Sequence, residues 1–398
     1  MTADGVVIAG AGIGGLTAAL ALARQGIRVT LFDQAKQLEE AGAGIQLSPN
    51  AARVLTALGL AGRLEPAIVE PAAIRSRSGR SGRDIATIPL GATTLARYGA
   101  PYWVIHRADL QRVLLESVMA EPRIALTLGA RVDDFTADAA GVRVAIHPGG
   151  EKQAETHCGG SALIGADGLW SRLRVRLGDG MAPRFAGRSA FRAVVPAAQL
   201  PPQYSAPVVN LWLGPNGHVV HYPVRAGAAV NIVAVTDDRW QSPAWSTGAD
   251  RDEVLARFPA PIWAPAVRLV LAAPERWQKW ALYDRAPSAP WGRGPVTLIG
   301  DAAHPMLPFL AQGAAMAIED AAVLARELAR SPADRAAGLR HYEAARAPRT
   351  ARVQRAARHN DLRYHLGRPA AIARDTVLRA LGGERLLAQY DWLYRWQP

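Results

Sequence analysis

The chain's 398 residues are 49% apolar and 20% charged, which excludes general disorder and leaves room for two or three domains. Its single cysteine, Cys158, excludes an intrachain disulfide and a cysteine-based zinc site, and fits a reducing compartment. The net charge of +12 is almost all arginine, with Lys36, Lys152 and Lys279 the only lysines, and reads as arginine-rich composition plus a solvated basic helix before it reads as a nucleic-acid surface.

The first element lies in an uncharged run, residues 6–23, whose length alone would suggest a membrane span. Gly10, Gly12, Gly14 and Gly15 interrupt it, and Asp4 stands where a signal peptide carries positive charge. The run therefore reads as a strand over 6–9, a glycine turn and a helix over 16–24, followed by a strand over 27–32. This βαβ unit predicts an α/β fold with a parallel sheet. Ser48-Pro49 supplies an N-cap and an N1 proline for a helix that Gly59 ends. Another helix is predicted over 108–119, with Asp109 in its first turn.

The run around Cys158 reads as a loop, and an apolar strand follows at 162–164. Between residues 184 and 291 the chain turns to Pro, Trp and β-branched residues. Strands over 208–213 and 219–224 flank Gly214-Pro215-Asn216-Gly217, a hairpin signal, and 230–236 adds a third strand. The tryptophans of this region (Trp240, Trp245, Trp263, Trp277, Trp280, Trp291) are expected to pack the core. A strand at 296–299 precedes helical pattern from Gly313 to about Arg379. Arg346, Arg349, Arg352, Arg355 and Arg358 recur every third residue, so the row winds around its helix and forms no flat basic face. The α/β pattern at both ends predicts one domain (1–73, 100–180 and 290–370) interrupted by a mainly antiparallel β-sheet domain (74–99 and 181–289), with a helical tail over 371–398.

Three strand-end motifs carry the chemistry. Gly10-Ala11-Gly12-Ile13-Gly14-Gly15 fits GxGxxG: Gly10 permits the tight turn, Gly12 lets the backbone approach a pyrophosphate, and Gly15 lets helix and strand pack closely. Asp33 ends the next strand, where an acid can accept from an adenosine ribose. Gly165-Ala166-Asp167-Gly168 and Gly300-Asp301 each follow an apolar strand, and a carboxylate there needs a partner for its charge.

This trio resembles the fingerprint of the single-component flavoprotein aromatic hydroxylases, with the para-hydroxybenzoate hydroxylase fold, over nearly the whole chain. The stretch from Gly42 to Asn50, His106-Arg107, Ala311-Gln312-Gly313-Ala314 and Ile318-Glu319-Asp320-Ala321 are most similar to the salicylate hydroxylase and 3-hydroxybenzoate 6-hydroxylase branch. The resemblance implies a Rossmann-like FAD-binding domain with Gly10, Gly12, Gly14, Gly15 and Asp33 around the ADP moiety. It places Gly44, Ile45, Arg107, Asp167 and Asp301 on the cofactor, with Pro308, Gly313 and Ala314 in the segment along the flavin ring. It further implies NADH or NADPH as reductant, O2 as co-substrate, and transfer of one oxygen through a flavin C4a-hydroperoxide to a small, carboxylated phenolic ring. No metal is implied.

A phenol becomes a stronger nucleophile when it loses its proton, so a base is wanted near the ring. By resemblance and by strand parity, His218, Val220 and Tyr222 share one face toward the substrate, and His221 points away. His218 is the expected base and Tyr222 an orienting hydroxyl. Gln312 is expected as a substrate-orienting amide and Gln46 as a weaker pocket residue, one that argues mildly against a hydroxynicotinate substrate. His304 is expected to be structural. A hydroxylase of a bulkier polyprenylated or quinolone ring at a membrane surface is the alternative, and a basic nucleic-acid-binding protein that merely retains a nucleotide fold is a third reading. The expected setting is cytoplasmic, as a monomer or homodimer with no nucleic acid and no integral membrane contact.

Overall fold

The computed structural model describes residues 5–38, 43–138, 141–148, 156–242 and 244–398; Gly42 of the resemblance stretch lies outside them. A five-stranded parallel sheet forms the centre of the cofactor half. Its strand order is Val296–Leu298, Ala162–Gly165, Val6–Ala9, Val29–Phe32, Ile124–Thr127. Every residue of Val6–Ala9 and Ala162–Gly165 is buried, as expected for strands covered on both faces. The order places the strand that runs into Asp167-Gly168 beside the one that ends in the glycine loop, and the strand before Gly300-Asp301 next in line. All three motifs therefore emerge at the carboxyl edge of one sheet, where ligands of open α/β sheets bind.

The helices Ile13–Arg24 and Gly313–Arg330 cover this sheet and pack on each other. Both start earlier or end differently from the periodicity: the first begins at Ile13 immediately after the glycine loop, because its first turn is built from Gly14 and Gly15. The helix Pro49–Ala57 has Ser48 as N-cap, and Gly59 follows it at φ +72°, a left-handed conformation that suits glycine.

The second half is an eight-stranded sheet, antiparallel except where Ala73–Ser78 pairs parallel with Val208–Gly214. The hairpin Val208–Gly214/Gly217–Val224 closes on Pro215-Asn216, with Asn216 at φ +58°. Trp212, Phe258 and Trp263 lie fully buried under this sheet, as does Trp277, while Trp245 is exposed and Trp280, packed edge-on against it, lines a cleft. Cys158 departs from expectation. It is buried on the strand Thr156–Gly160 of a separate three-stranded sheet, where the run Thr156-His157-Cys158-Gly159-Gly160 reads as a loop.

The helical C-terminus continues past the expected Arg379. The helix Arg335–Tyr364 runs through Pro348, and Ala370–Ala388 lies on the strand Asp84–Pro89, where a Cβ at Gly383 would sit 2.1 Å from the Thr87 carbonyl oxygen. None of its arginine row forms a free basic stripe: Arg346 is fully buried, Arg358 pairs with Asp284 at 2.5 Å, and Arg352 lies 3.9 Å over Trp392.

Candidate active site

The carboxyl edge of the parallel sheet opens into a cavity of about 330 Å3 that reaches the second sheet. Of the residues expected on the cofactor or substrate, Gly12, Gly14, Gly44, Ile45, Gln46, Arg107, His218, Val220, Tyr222, Asp301, Pro308, Gln312, Gly313 and Ala314 line it. Gly10, Gly15, Asp33 and Asp167 stand behind its wall, each with a different task.

The glycine loop is built by close backbone approach. A Cβ on Gly10, which sits at φ +108°, would lie 2.3 Å from the Ala166 carbonyl oxygen. A Cβ on Gly15 would lie 1.8 Å from the Gly10 carbonyl oxygen. Gly12, by contrast, faces open space. The Ala11 N–H donates to one Asp33 oxygen at 2.6 Å and the Ala35 N–H to the other at 2.8 Å, so Asp33 braces the loop. Asp167 Oδ2 accepts from the N–H groups of Arg172 and Leu173, capping the short helix Arg172–Arg176. Burial pushes the Asp167 carboxyl up, against Ser171 and those N–H donors.

Two helix N-termini face the cavity, Ile13–Arg24 and Gly313–Arg330, and neither has a side-chain cap. Their first N–H groups and dipole ends suit negative charge. The second follows Pro308–Leu310 and Ala311, a non-glycine residue at φ +51° that turns the chain into the helix. Asp301 lines the cavity and is accessible there; the protein gathered around its carboxyl pushes it up, while His304 and Arg107 draw it down. Open glycine, paired helix N-termini and flanking arginine fit a dinucleotide with a pyrophosphate at one end and a ring that becomes anionic at the other.

On the opposite wall the strand Gly217–Val224 presents His218, Val220 and Tyr222 to the cavity, and His221 points away as parity predicts. His221 stacks on Trp212 at 6.1 Å, and burial holds its imidazole at about 3. His218 is 4% exposed, and its Nδ1 lies 2.7 Å from Nε2 of His365. Burial, then His365 and Arg188, hold the His218 imidazole well below its ordinary value. Burial pushes the Tyr222 phenol up, so it remains a donor. Gly44 makes this wall possible: its N–H donates to Asn231 at 2.6 Å, and a Cβ there would lie 2.7 Å from the Tyr222 ring.

Gln312 lines the cavity with its amide tied to two neighbours: Nε2 donates to Ser48 Oγ at 2.8 Å and Oε1 accepts from Asn50 at 3.1 Å. Asn50 also donates to Glu319, which Arg346 and Arg349 grip; Arg346 continues to Asp320 at 2.7 Å. His304 Nε2 lies 2.6 Å from Asp320 within the same buried cluster. Burial opposes the charge on Asp320, but His304 and Arg346 hold its carboxyl at about 2.

Two features were missed by sequence reasoning. Arg192 lines the cavity; its place between Phe191 and the apolar Ala193-Val194-Val195 on the strand Arg184–Pro196 was the available signal. A smaller chamber of about 170 Å3 shares Gln46, His218, Val220, Pro308 and Ala311 with the main cavity and is closed by Tyr102, Tyr364 and Leu211. Gln46 accepts from Tyr102 at 2.7 Å. A second cleft of about 450 Å3, walled by Trp245, Trp280 and Tyr283, meets the main cavity at Arg107, Arg192 and Asp301.

Residues 4–357 match the sequence profile of the FAD binding domain family. The chain is 41% identical over 394 residues to 3-amino-4-hydroxybenzoate 2-monooxygenase PtnB3 of Streptomyces platensis, covering 98% of this chain and 95% of that one. It is 37% identical over 393 residues to 3-hydroxybenzoate 6-hydroxylase 1 of Aquipseudomonas alcaligenes, covering 98% and 97%. Klebsiella pneumoniae HpxO complexed with FAD and uric acid superposes with a TM-score of 0.83 at 29% identity, over 97% of this chain and 95% of that one. With the glycine loop, the anion-seeking helix ends and a histidine-bearing strand gathered on one cavity, the chain belongs to this family, among the FAD-dependent, NAD(P)H-consuming aromatic-ring monooxygenases.

Proposed function

We propose that the substrate is a small phenol carrying a carboxylate, a hydroxybenzoate or an aminohydroxybenzoate, and that His218 removes its phenolic proton. The observation that carries this reading is a single one: His218 and Tyr222, on one face of one strand, form the wall opposite the uncapped Gly313 helix. The glycine loop, Arg107, Asp301 and the segment from Pro308 to Ala314 would hold FAD, which would supply reduced-flavin oxygen chemistry with NAD(P)H as the reductant.

The chain's own residues prepare the ring. His218 offers a neutral imidazole nitrogen, since burial keeps it unprotonated. Loss of the phenolic proton raises electron density on the ring carbons ortho and para to it, where oxygen is accepted. Tyr222 keeps its proton and donates to the substrate. Arg192 stands near enough to Tyr222 to act on its phenol, and supplies the cation for a carboxylate. Val220, Val233, Val235 and Met306 keep water from the reacting face. The aromatic cleft beside Arg107 and Arg192 is where the nicotinamide approaches.

The relatives named above act on single benzoate rings, which favours a small substrate over a polyprenylated or quinolone ring. Among the described residues no helix is long and apolar enough to cross a membrane, and our reading keeps the cytoplasmic setting, the monomer or homodimer and the two-domain division set out above. The test is NADH and NADPH oxidation by the yellow protein across salicylate, 3- and 4-hydroxybenzoate, 3-amino-4-hydroxybenzoate and a short-chain quinol, with peroxide followed alongside. Stimulated oxidation with a hydroxylated product and little peroxide from one acid supports the reading. A yellow protein that responds only to the quinol overturns it.

A further inference from the structure

Beyond the strand that carries His218, the end of the long C-terminal helix brings two more titratable groups to the same imidazole. His365, the residue that ends the helix Arg335–Tyr364, puts Nε2 2.7 Å from His218 Nδ1, and the two rings stack at 5.0 Å. Asp361, one turn earlier, lies 3.0 Å from the other His365 nitrogen, Nδ1. Arg188 grips the same carboxylate and also Asp237. His218 and His365 are both buried, at 4% and 7% exposed, and the Asp361 side chain at the outer end is 18% exposed.

We infer that His218, His365 and Asp361 form a proton relay that carries the phenolic proton from the closed pocket to the protein surface. The inference rests on the reading of His218 as the base. A carboxylate 3.0 Å from Nδ1 favours the His365 tautomer that carries its hydrogen there and presents a lone pair at Nε2. That lone pair accepts the Nδ1–H of His218, which leaves the His218 Nε2 lone pair for the phenol. When the phenolic O–H bond breaks and the proton joins His218 Nε2, the Nδ1 proton of His218 passes to His365 Nε2. The Nδ1 proton of His365 then passes to Asp361 and on to water. One proton enters and one leaves, and no imidazolium has to persist beside the pocket. The relay also resolves a difficulty: burial makes His218 a poor resting place for a proton. The other charged and titratable groups packed around the pair are Arg188 and Asp237 from the sheet and Tyr364 with Arg363 from the helix. His365 and Asp361 touch no ring, and act through His218 as positioning and relay residues.

The experiment is an ultraviolet difference titration of 3-hydroxybenzoate bound to the oxidised holoenzyme, which reads phenolate directly without turnover. In the wild type the bound phenol is expected to ionise at lower pH than in water. In Asp361→Asn and His365→Gln the midpoint should rise by about one pH unit or more, with the low-pH Kd of the probe changed by no more than about twofold. Asp361→Glu should restore the wild-type midpoint. Should Asp361→Asn and His365→Gln titrate as the wild type does, the relay is wrong and the pair is a structural contact. Should Asp361→Glu fail together with Asp361→Asn while both keep FAD, the relay is equally wrong, since a carboxylate alone ought to suffice. A wild type that binds the probe without ionising it, and whose NAD(P)H oxidation no phenol stimulates, removes the base reading and the relay with it.

Discussion

At the scale of single residues, Gly10 and Gly12 separate packing from binding. Gly10→Ala drives a Cβ into the Ala166 carbonyl at a φ that L residues avoid, so it should lower stability and abolish FAD retention together. Gly12→Ala meets no protein atom within 4 Å, so the apoprotein should keep its Tm while the flavin affinity falls, because the added methyl enters the space of the pyrophosphate. Flavin absorbance and thermal unfolding of the two variants check this. His218→Ala should keep FAD and lose about 10²–10⁴-fold in kcat, the usual worth of a general base. Its titration has a definite sign. Because the folded imidazole is held below 6.5, it remains neutral and competent as pH falls through 6.5. The acid limb of kcat/KM should therefore lie below pH 6.5, which a pH–rate profile on the best substrate measures.

At the scale of elements, the decisive object is the buried cluster that joins the helices Pro49–Ala57, Gly313–Arg330 and Arg335–Tyr364 beneath the cofactor loop. Arg346 balances Glu319 and Asp320 inside the protein. Arg346→Met should strip a shared cation from two buried carboxylates and cost about 3–5 kcal/mol of unfolding free energy, read by denaturant titration. Asp320 adds a pH signature: its carboxyl is depressed from 3.8 to about 2, so its contribution is complete above pH 3.8 and is lost as pH falls from there toward 2. The sequence made this region legible only in part. The glycine motifs, the βαβ unit and the hairpin follow from local rules of turn chemistry and strand alternation, and those elements stand where they were expected. The roles of Gln312 and of the row containing Arg346 depend on partners 262 and 26 residues away, such as Asn50 and Asp320, and no local pattern encodes them. His365 was overlooked for the same reason: it meets His218 across 147 positions, in a tail whose periodicity says only that it is helical.

At the scale of the whole molecule, the charge of +12 is dispersed into ion pairs and arginine–aromatic contacts, including Arg174 with Asp179, Arg349 with Glu319 and Arg352 over Trp392. Binding to duplex DNA should accordingly be weak and vanish by moderate salt, as fluorescence anisotropy at two ionic strengths would register. The long helix Arg335–Tyr364 connects the two halves. Near its start, Glu343 accepts from Thr297 at 2.5 Å and Tyr342 donates to the Leu298 carbonyl at 3.2 Å, both on the parallel sheet. Its other end delivers Asp361 and His365 to the second sheet, roughly 30 Å further on at about 1.5 Å per residue.

That helix has a consequence for how new specificities arise in this scaffold. The walls that sense the outline of the ring, Val220 and Leu211, belong to the hairpin, whereas the partners of the base are carried in from the cofactor half. Mutation can recut the mould without rewiring the circuit. Leu211→Ala should admit a larger ring while the pH–rate profile keeps its wild-type midpoints, and a scaffold arranged this way can explore substrates one wall at a time with its acid–base equipment left intact.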